Sequence, residues 1–358
     1  MKYLIDLSCQ TDVLLFKGLK RKLEEHGHQV FVTTRHFMDI EALAVKHGMR
    51  PHQIGWHGDD LYMKLKAGAE RIRGLADYIY NDIGMDLAVI SNSNPEICRV
   101  GYGLGLKVFS WNDSPDLQVA QTKLTAPLSD WIFTPWVVPK RCFEYMGVPH
   151  DRVFQYGALF PMAWLPEVEV NQSILGDLAL ERGDTLVTFR ESETKSAYLS
   201  RRDLAVSAVK ALAQKYPRWQ FVTHPRYSVQ DLYRKMGWVP DNVHVFAEPI
   251  DTHSLLAMSD LFISGGGTMT IEAAYYGTPC ISTREKTTYY DHFLIQEKLA
   301  ERAETVEGAV ELAERLMGVP SAGLEEPEDP FLKRTREVFS KMKYPLDEIV
   351  SILEGEHG

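Results

Sequence analysis

Residues 260–281 read DLFISGGGTMTIEAAYYGTPCI. The apolar run 261–263 is typical of a buried parallel strand, and the three glycines at 265–267 allow the backbone to turn tightly without a Cβ in the way. Thr268 begins a helical segment, which Gly277 ends as a C-terminal cap. The stretch therefore predicts a strand, a glycine turn and a helix.

The start of this helix favours a phosphate, because its free N–H groups and its positive dipole end face the turn. The candidate phosphate-binding residues are Ser264, Gly265, Gly266, Gly267 and Thr268. Glu272 lies one turn after Thr268 on the same helical face, where its carboxylate can accept hydrogen bonds from a ribose. The alternative is an ordinary βα turn with a solvated glutamate. We favour nucleotide binding, since three glycines exceed what turning requires.

Length and hydrophobic pattern indicate a globular protein of two α/β domains. The chain has 358 residues, more than a single core usually organises. Short apolar runs alternate with helix-length periodic segments, which predicts parallel sheets. We expect strands near residues 2–7, 29–34, 52–55, 86–90, 107–111, 131–134, 153–156, 184–189, 219–223, 242–246, 260–263 and 280–283.

These elements predict two doubly wound, Rossmann-like domains over residues 1–165 and 166–330, followed by C-terminal helices over 331–358 that pack back across the domains. In such sheets ligands bind beyond the carboxyl ends of the strands. We therefore expect the two domains to face one another across a ligand-binding cleft.

Charge and cysteine pattern restrict the function classes. A net charge of −10 opposes non-specific binding to nucleic acid. Four scattered cysteines without a Cys-x-x-Cys pair predict reduced thiols. With neither a signal peptide nor an apolar run of ~20 residues, we expect a cytoplasmic protein, with peripheral contact at the inner membrane face as an alternative. No metal-ligand motif occurs, so we expect neither a dedicated metal site nor a cofactor.

Cationic residues follow two strands of the second half. Arg190 follows strand 184–189, with Lys195 beyond it, and His224 and Arg226 follow strand 219–223. In a parallel sheet these positions share one edge with the glycine turn, where arginine can bind a diphosphate by bidentate contacts. A single such arginine more often makes a surface ion pair.

A nicotinamide-dinucleotide fingerprint is the competing interpretation of the glycine turn. Gly265 and Gly267 fit it, but its third glycine is replaced by Thr270. Glu285 lies at the expected distance for the acidic residue, so this alternative stays open.

The first half supplies candidate catalytic carboxylates. Asp12, after the first strand, is a candidate general base toward an incoming hydroxyl, and helix capping is its alternative role. Asp113, after strand 107–111, can bind sugar hydroxyls or act as the base instead, or simply open the next helix. Residues 91–95 can bind a polyol or cap a helix. His57 is a candidate acceptor-site residue or a solvated loop histidine.

The segment 61–81 predicts an amphipathic helix with a basic polar face. That face carries Lys64, Lys66, Arg71 and Arg73. We expect it to lie in water; contact with a membrane or a lipid-linked acceptor is the alternative.

The chain resembles the GT-B superfamily of nucleotide-sugar enzymes and, more closely, an uncharacterised domain-of-unknown-function family of GT-B-like proteins. The resemblance is carried by Ile5-Asp6, Phe16-Lys17, residues 124–130, Thr134-Pro135, residues 224–226 and residues 264–267 with Glu272. It implies that residues 265–268 hold the donor diphosphate and that Glu272 holds the ribose of a nucleotide sugar.

Two members of the superfamily imply different chemistry. The chain is similar to the non-hydrolysing UDP-N-acetylglucosamine 2-epimerase, but the catalytic glutamate pair of that enzyme would fall at Gln118 and Val119, and its histidine at Phe189. It also resembles the peptidoglycan N-acetylglucosaminyltransferase, whose acceptor is lipid-linked and whose proposed base lies near Asp12. The glycine-rich loop of that enzyme is missing here.

These observations favour a metal-independent glycosyltransferase that uses a nucleotide-diphosphate sugar, expected to be a UDP-sugar. Asp12 or Asp113 would be the base, and Arg190 and Arg226 would stabilise the departing diphosphate. The alternatives are an epimerase or hydrolase, and a non-catalytic nucleotide-sugar-binding protein. The expected partners are the nucleotide sugar, an acceptor that includes lipid-linked molecules, and a second copy of the chain in a homodimer.

Overall fold

A computed structural model describes residues 1–181, 184–192, 203–318 and 330–355. Lys195 lies outside these ranges. The chain forms two compact units: Met1–Trp164 with Lys343–Gly358, and Leu165–Met342.

The first unit is built on a parallel sheet with helices on both faces. Its strands are β1 (Lys2–Leu7), β2 (Gln29–His36), β3 (His52–Trp56), β4 (Ala88–Ser91), β5 (Lys107–Trp111), β6 (Trp131–Pro135) and β7 (Val153–Tyr156). Its helices are α1 (Gln10–Glu25), α2 (Ile40–Lys46), α3 (Leu61–Tyr78), α4 (Pro95–Gly103), α5 (Val119–Thr125) and α6 (Arg141–Glu144).

The strand order is β3-β2-β1-β4-β5-β6-β7, so the winding direction reverses between β1 and β4. One face of this sheet buries Leu4, Val89 and Val108 against Leu75 of α3 and Ile97 of α4. Strands of a parallel sheet that is covered on both faces have nearly continuous apolar sequences, so the hydrophobic pattern predicted their positions.

The second unit repeats this architecture. Its strands are β8 (Thr185–Arg190), β9 (Trp219–Thr223), β10 (Val243–Val245), β11 (Leu261–Ser264), β12 (Cys280–Ser282) and β13 (Glu301–Arg302). Its helices are α7 (Ile174–Asp177), α8 (Leu204–Lys215), α9 (Val229–Met236), α10 (Thr252–Met258), α11 (Thr268–Tyr276), α12 (Tyr289–Gln296), α13 (Val306–Met317) and α14 (Pro330–Phe339).

The strand order of the second unit is β10-β9-β8-β11-β12-β13, and every neighbouring pair is parallel. Val187, Phe221 and Ile263 of the sheet pack with Leu212 of α8 and Ala309 of α13 in one core. The order reverses between β8 and β11, which is where ligands bind in open α/β sheets. The prediction of two doubly wound α/β domains is confirmed.

The C-terminal segment contributes to both units. Helix α14 packs on α11 in the second unit, with Tyr275 and Phe339 in edge-to-face contact at 5.5 Å. The last helix, α15 (Leu346–Gly355), packs on α1 in the first unit, where Lys22 pairs with Asp347 at 2.8 Å. Within the described ranges, no helix has the length and hydropathy to cross a membrane.

Helix α3 does not expose all of its basic residues. Arg71 is 1% exposed, and its Nη1 donates to Oδ2 of Asp6 at 3.0 Å. Its Nε donates to the carbonyl of Ile54 at 3.0 Å. The prediction that Arg71 lies on a solvated face is wrong, because the buried Asp6 carboxylate of β1 holds it as a countercharge. Asp6 also accepts hydrogen bonds from Thr33 and Asn94.

Candidate functional site

The glycine turn after β11 has a steric requirement at each of its three positions. Gly266 and Gly267 have φ angles of +78° and +111°, which favour glycine. A Cβ on Gly265 would lie 2.4 Å from the Cα of Ser192. Local structure therefore explains all three glycines, and the case for a ligand depends on the groups around them.

The N-terminus of α11 is capped by a residue without a side chain. Gly267 is the N-cap, and Thr268 is the first helical residue. The hydroxyl of Ser264 accepts a hydrogen bond from the N–H of Gly266 at 3.1 Å and contacts the hydroxyl of Thr270. Ser264 thus stabilises the turn, while the first amides of α11 suit an anion.

Arg190 lies next to the glycine turn, because β8 and β11 pair with Arg190 opposite Ser264. Its Nη1 donates to the carbonyl of His224. The pKa of Arg190 is lowered to about 10, mainly by burial and secondarily by the positive charge of Arg226. The two positive charges repel one another, and a bound anion would relieve the repulsion.

The loop after β9 is held by a buried carboxylate. Glu191 is fully buried and accepts a hydrogen bond from the N–H of Arg226 at 2.6 Å. Lys235 donates to Glu191 and to Asp203, each at 3.0 Å. This network fixes the backbone at Arg226 relative to the end of β8.

His224 has a defined tautomer in this loop. Its Nδ1 lies 2.9 Å from the carbonyl oxygen of Phe246, which can only accept, so Nδ1 carries the proton. In the neutral ring Nε2 is then the acceptor.

Glu272 is buried in α11, with 5% of its surface exposed. The alternative of a solvated glutamate is therefore wrong. Its charge acts on Arg190, and burial together with Glu272 raises the pKa of Tyr276. The glutamate thus belongs to the same charged cluster as the arginines.

Arg284 is a neighbour of the glycine turn that the sequence analysis missed. It follows β12, and a Cβ on Gly266 would lie 2.7 Å from its Nε. Its Nη1 donates to the hydroxyl of Tyr290 at 2.6 Å and to Asp291 at 3.0 Å. The signal was available, because Arg284 follows a predicted strand as Arg190 does.

Asp12 lies at the reversal point of the first unit and is fully buried. Its carboxylate accepts hydrogen bonds from the N–H groups of Ser8 and Cys9 at 2.7 and 3.2 Å. The side chain of Asn92 donates to it at 2.9 Å and so joins the loops after β1 and β4. Asp12 is in the first turn of α1, and Cys9 is the N-cap. Burial raises the pKa of Asp12, although these hydrogen bonds act in the opposite direction.

Asp113 follows β5 at the same sheet edge and is half-buried. The Asx turn that opens this loop is made by Asn112, whose Oδ1 accepts from the N–H of Ser114 at 3.1 Å. The loop after β4 has local roles, because Asn94 caps α4 and also donates to Asp6.

His57 is not a solvated loop residue. Its ring lies 4.2 Å from the ring of Phe37. Burial lowers the pKa of His57 to about 4, with smaller contributions from Arg35 and Lys64. At neutral pH the imidazole is uncharged.

Two successive doubly wound units of this kind define a GT-B-like fold with two Rossmann-like domains. The UDP-GlcNAc 2-epimerase of Neisseria meningitidis, solved with UDP-GlcNAc, has a TM-score of 0.76, 15% identity and coverage of 99% of this chain and 100% of that one. The spinosyn rhamnosyltransferase SpnG has a TM-score of 0.65, 14% identity and coverage of 99% and 100%. At such identities the similarity concerns the fold alone.

The chain belongs to the family described as Protein of unknown function (DUF354), whose model matches residues 1–335. The Uncharacterized protein MJ0665 of Methanocaldococcus jannaschii is 28% identical over 331 residues, which cover 91% of this chain and 94% of that protein. The resemblance to an uncharacterised family of GT-B-like proteins is confirmed.

Proposed function

We propose that the protein is a glycosyltransferase that binds a nucleotide-diphosphate sugar at the carboxyl edge of the second sheet. The observation that carries the proposal is the placement of Arg190 and Arg284 beside the glycine turn at the reversal point, with the charge of Arg226 acting on Arg190. Cations and an open helix N-terminus in one place suit a diphosphate better than a neutral ligand.

The same groups suit the chemistry of transfer. As the bond from the anomeric carbon to the diphosphate breaks, negative charge develops on the leaving oxygen, and arginines with helix amides can stabilise it. The missing side chains at residues 265–267 allow close approach of the phosphates. Glu272 would accept hydrogen bonds from the ribose.

The acceptor hydroxyl would form the new bond to the anomeric carbon and pass its proton to Asp12 or Asp113. Asp113 is half-buried, whereas the Asp12 carboxylate is fully buried among donors of its own loop. Asp113 therefore needs less rearrangement to receive the proton. Direct displacement of this kind inverts the anomeric configuration.

Uridine diphosphate is the first ligand to test, since one structure of the same fold was solved with UDP-GlcNAc. We expect UDP to bind the wild type in calorimetry and Arg226→Gln to bind it about 10- to 100-fold more weakly, because a charge-assisted hydrogen bond is lost. Arg218→Gln is the matched control, since Arg218 is exposed on the same unit. Equal affinities for the two variants, or no UDP binding by the wild type, would contradict the donor site.

A further inference from the structure

A second cationic group lies in the first unit, at the carboxyl ends of β2 and β3. It consists of two cations, Arg35 near the end of β2 and Lys64 in the first turn of α3, with the uncharged His57, directly after β3, beside them. The Phe37 ring contacts two of them: its centroid lies 4.2 Å from that of the His57 ring and 5.5 Å from the guanidinium carbon of Arg35. We name these three residues the β2–β3 cationic cluster.

Arg35 has hydrogen-bonding capacity that the described part of the chain does not use. Its Nη2 donates to the carbonyl of Ser8 at 3.2 Å. Its Nε is buried and has no hydrogen-bond partner among the described residues. A buried N–H without an acceptor is unfavourable, so an oxygen of a bound anion would complete the site. Burial lowers the pKa of Arg35, and the negative charge of Glu96 opposes this effect. The negative charge of Asp59 likewise opposes the lowering of the His57 pKa.

Exposed apolar side chains adjoin this cluster on α3. Leu61, Tyr62 and Leu65 are 71%, 72% and 76% exposed. Leu61 shares a helical face with Lys64 and with Leu65, three and four residues further on. A Cβ on Gly58 would meet the backbone of Met63 and Lys64 at 2.2–2.3 Å, so the His57 loop lies against this same turn. Grouped apolar exposure of this kind marks an interaction surface.

We propose that the β2–β3 cationic cluster and this apolar surface form an acceptor subsite for an amphiphilic phosphate. The phosphate ester contacts Arg35 and Lys64, and the apolar chain lies on Leu61, Tyr62 and Leu65. Calling the ligand an acceptor rests on the proposed glycosyl transfer; the binding site itself does not. Ser8, which accepts from Arg35, also donates to Asp12, so the subsite adjoins a candidate base.

The test uses decyl phosphate as the probe, below the concentration at which it forms micelles, with the full-length protein in calorimetry. We expect decyl phosphate to bind at least about tenfold more tightly than inorganic phosphate, because only the ester has a chain to bury. Arg35→Gln should weaken both ligands about tenfold or more, whereas Arg73→Gln, exposed on the same helix, should not. Lys64→Gln provides a second cationic variant if Arg35→Gln does not fold.

The apolar half of the site is tested by Leu65→Ser. We expect this variant to weaken decyl phosphate about threefold to tenfold and to leave inorganic phosphate unchanged. Leu124→Ser, which changes an exposed leucine of α5, is its matched control and should behave as wild type. Equal binding of decyl phosphate and inorganic phosphate, or equal effects of the two leucine variants, overturns the proposal.

Two further results separate the possible failures. If anionic vesicles bind through Leu65 while monomeric decyl phosphate does not, the surface is a membrane contact and the acceptor subsite is refuted. If UDP binds with normal affinity while decyl phosphate does not, the donor proposal stands and the subsite fails. If decyl phosphate binds and UDP does not, the binding site is supported and its role as an acceptor site fails.

Discussion

Asp6 and Arg71 illustrate how single residues are constrained inside the first sheet. Both are almost completely buried, and they pair through two nitrogen–oxygen contacts. Transfer of two charges out of water is costly, and their pairing with added hydrogen bonds offsets that cost. Removal of one partner leaves the other charge buried without compensation.

We expect Arg71→Met to destabilise the protein by about 3–5 kcal/mol, the usual effect of breaking a buried ion pair. Urea unfolding followed by circular dichroism measures the change. Arg73→Met is the matched control, because Arg73 is exposed on the same helix and should cost within about 0.5 kcal/mol. Similar losses in the two variants would show that the Asp6–Arg71 pair does not contribute as described.

Among the helices, α15 is held on the first unit by side-chain ion pairs as well as by apolar contacts. Oε1 of Glu354 lies 2.9 Å from Nδ1 of His26 and 2.7 Å from Nε2 of His28. Hydrogen bonds from His28 and His26 lower the pKa of Glu354, and the hydrogen bond from Lys22 lowers that of Asp347. Ile349, Val350 and Leu353 of this helix are buried, as its sequence pattern suggests.

A carboxylate with a lowered folded pKa stabilises the fold above its unfolded pKa, and the contribution is lost as pH falls through the folded value. We therefore expect Glu354→Gln to unfold at a lower temperature than wild type near pH 6. The difference should shrink as pH falls below 4.5, the ordinary pKa of a glutamate. Glu348→Gln, exposed on the same helix, is the control. A difference that stays constant or grows toward acid pH would refute this role of Glu354.

For the whole molecule, the two units repeat one strand order but carry different chemistry. The second unit presents arginines at a glycine turn, and the first presents aspartates and the β2–β3 cationic cluster at its own sheet edge. This division is what the proposed glycosyl transfer, a reaction with two substrates, would require.

We expect UDP-GlcNAc incubated with the protein alone to remain intact, and sugar transfer to require an acceptor. Chromatography with mass detection measures the remaining donor and any product. An epimerised sugar would identify an epimerase, and free UDP would identify a hydrolase; either result contradicts simple transfer. Binding without turnover in the presence of cell-extract acceptors would identify a binding protein.

Much of the fold was predictable because it depends on short-range patterns. Each predicted strand is present, whereas β13 was missed because it has two polar residues and is recognisable only by its pairing with β12. The rule that strand ends share a sheet edge put Arg190 opposite Ser264, as the pairing of β8 with β11 shows, and β9, which precedes His224 and Arg226, pairs with β8 on its other side. Arg284 also follows a predicted strand, so the same rule would have placed it at this sheet edge.

The amino-acid sequence by itself determined the two parallel sheets, their helices and the edge that carries polar residues, because hydrophobic periodicity and glycine turns act between neighbours in the chain. Only the tertiary structure decided which charges are buried and with what they pair. Asp6 and Arg71 are 65 residues apart, and Glu354 and His28 are 326 apart. Burial and pairing depend on such distant residues, so the exposure of Arg71, Glu272 and His57 followed from the fold and not from local pattern.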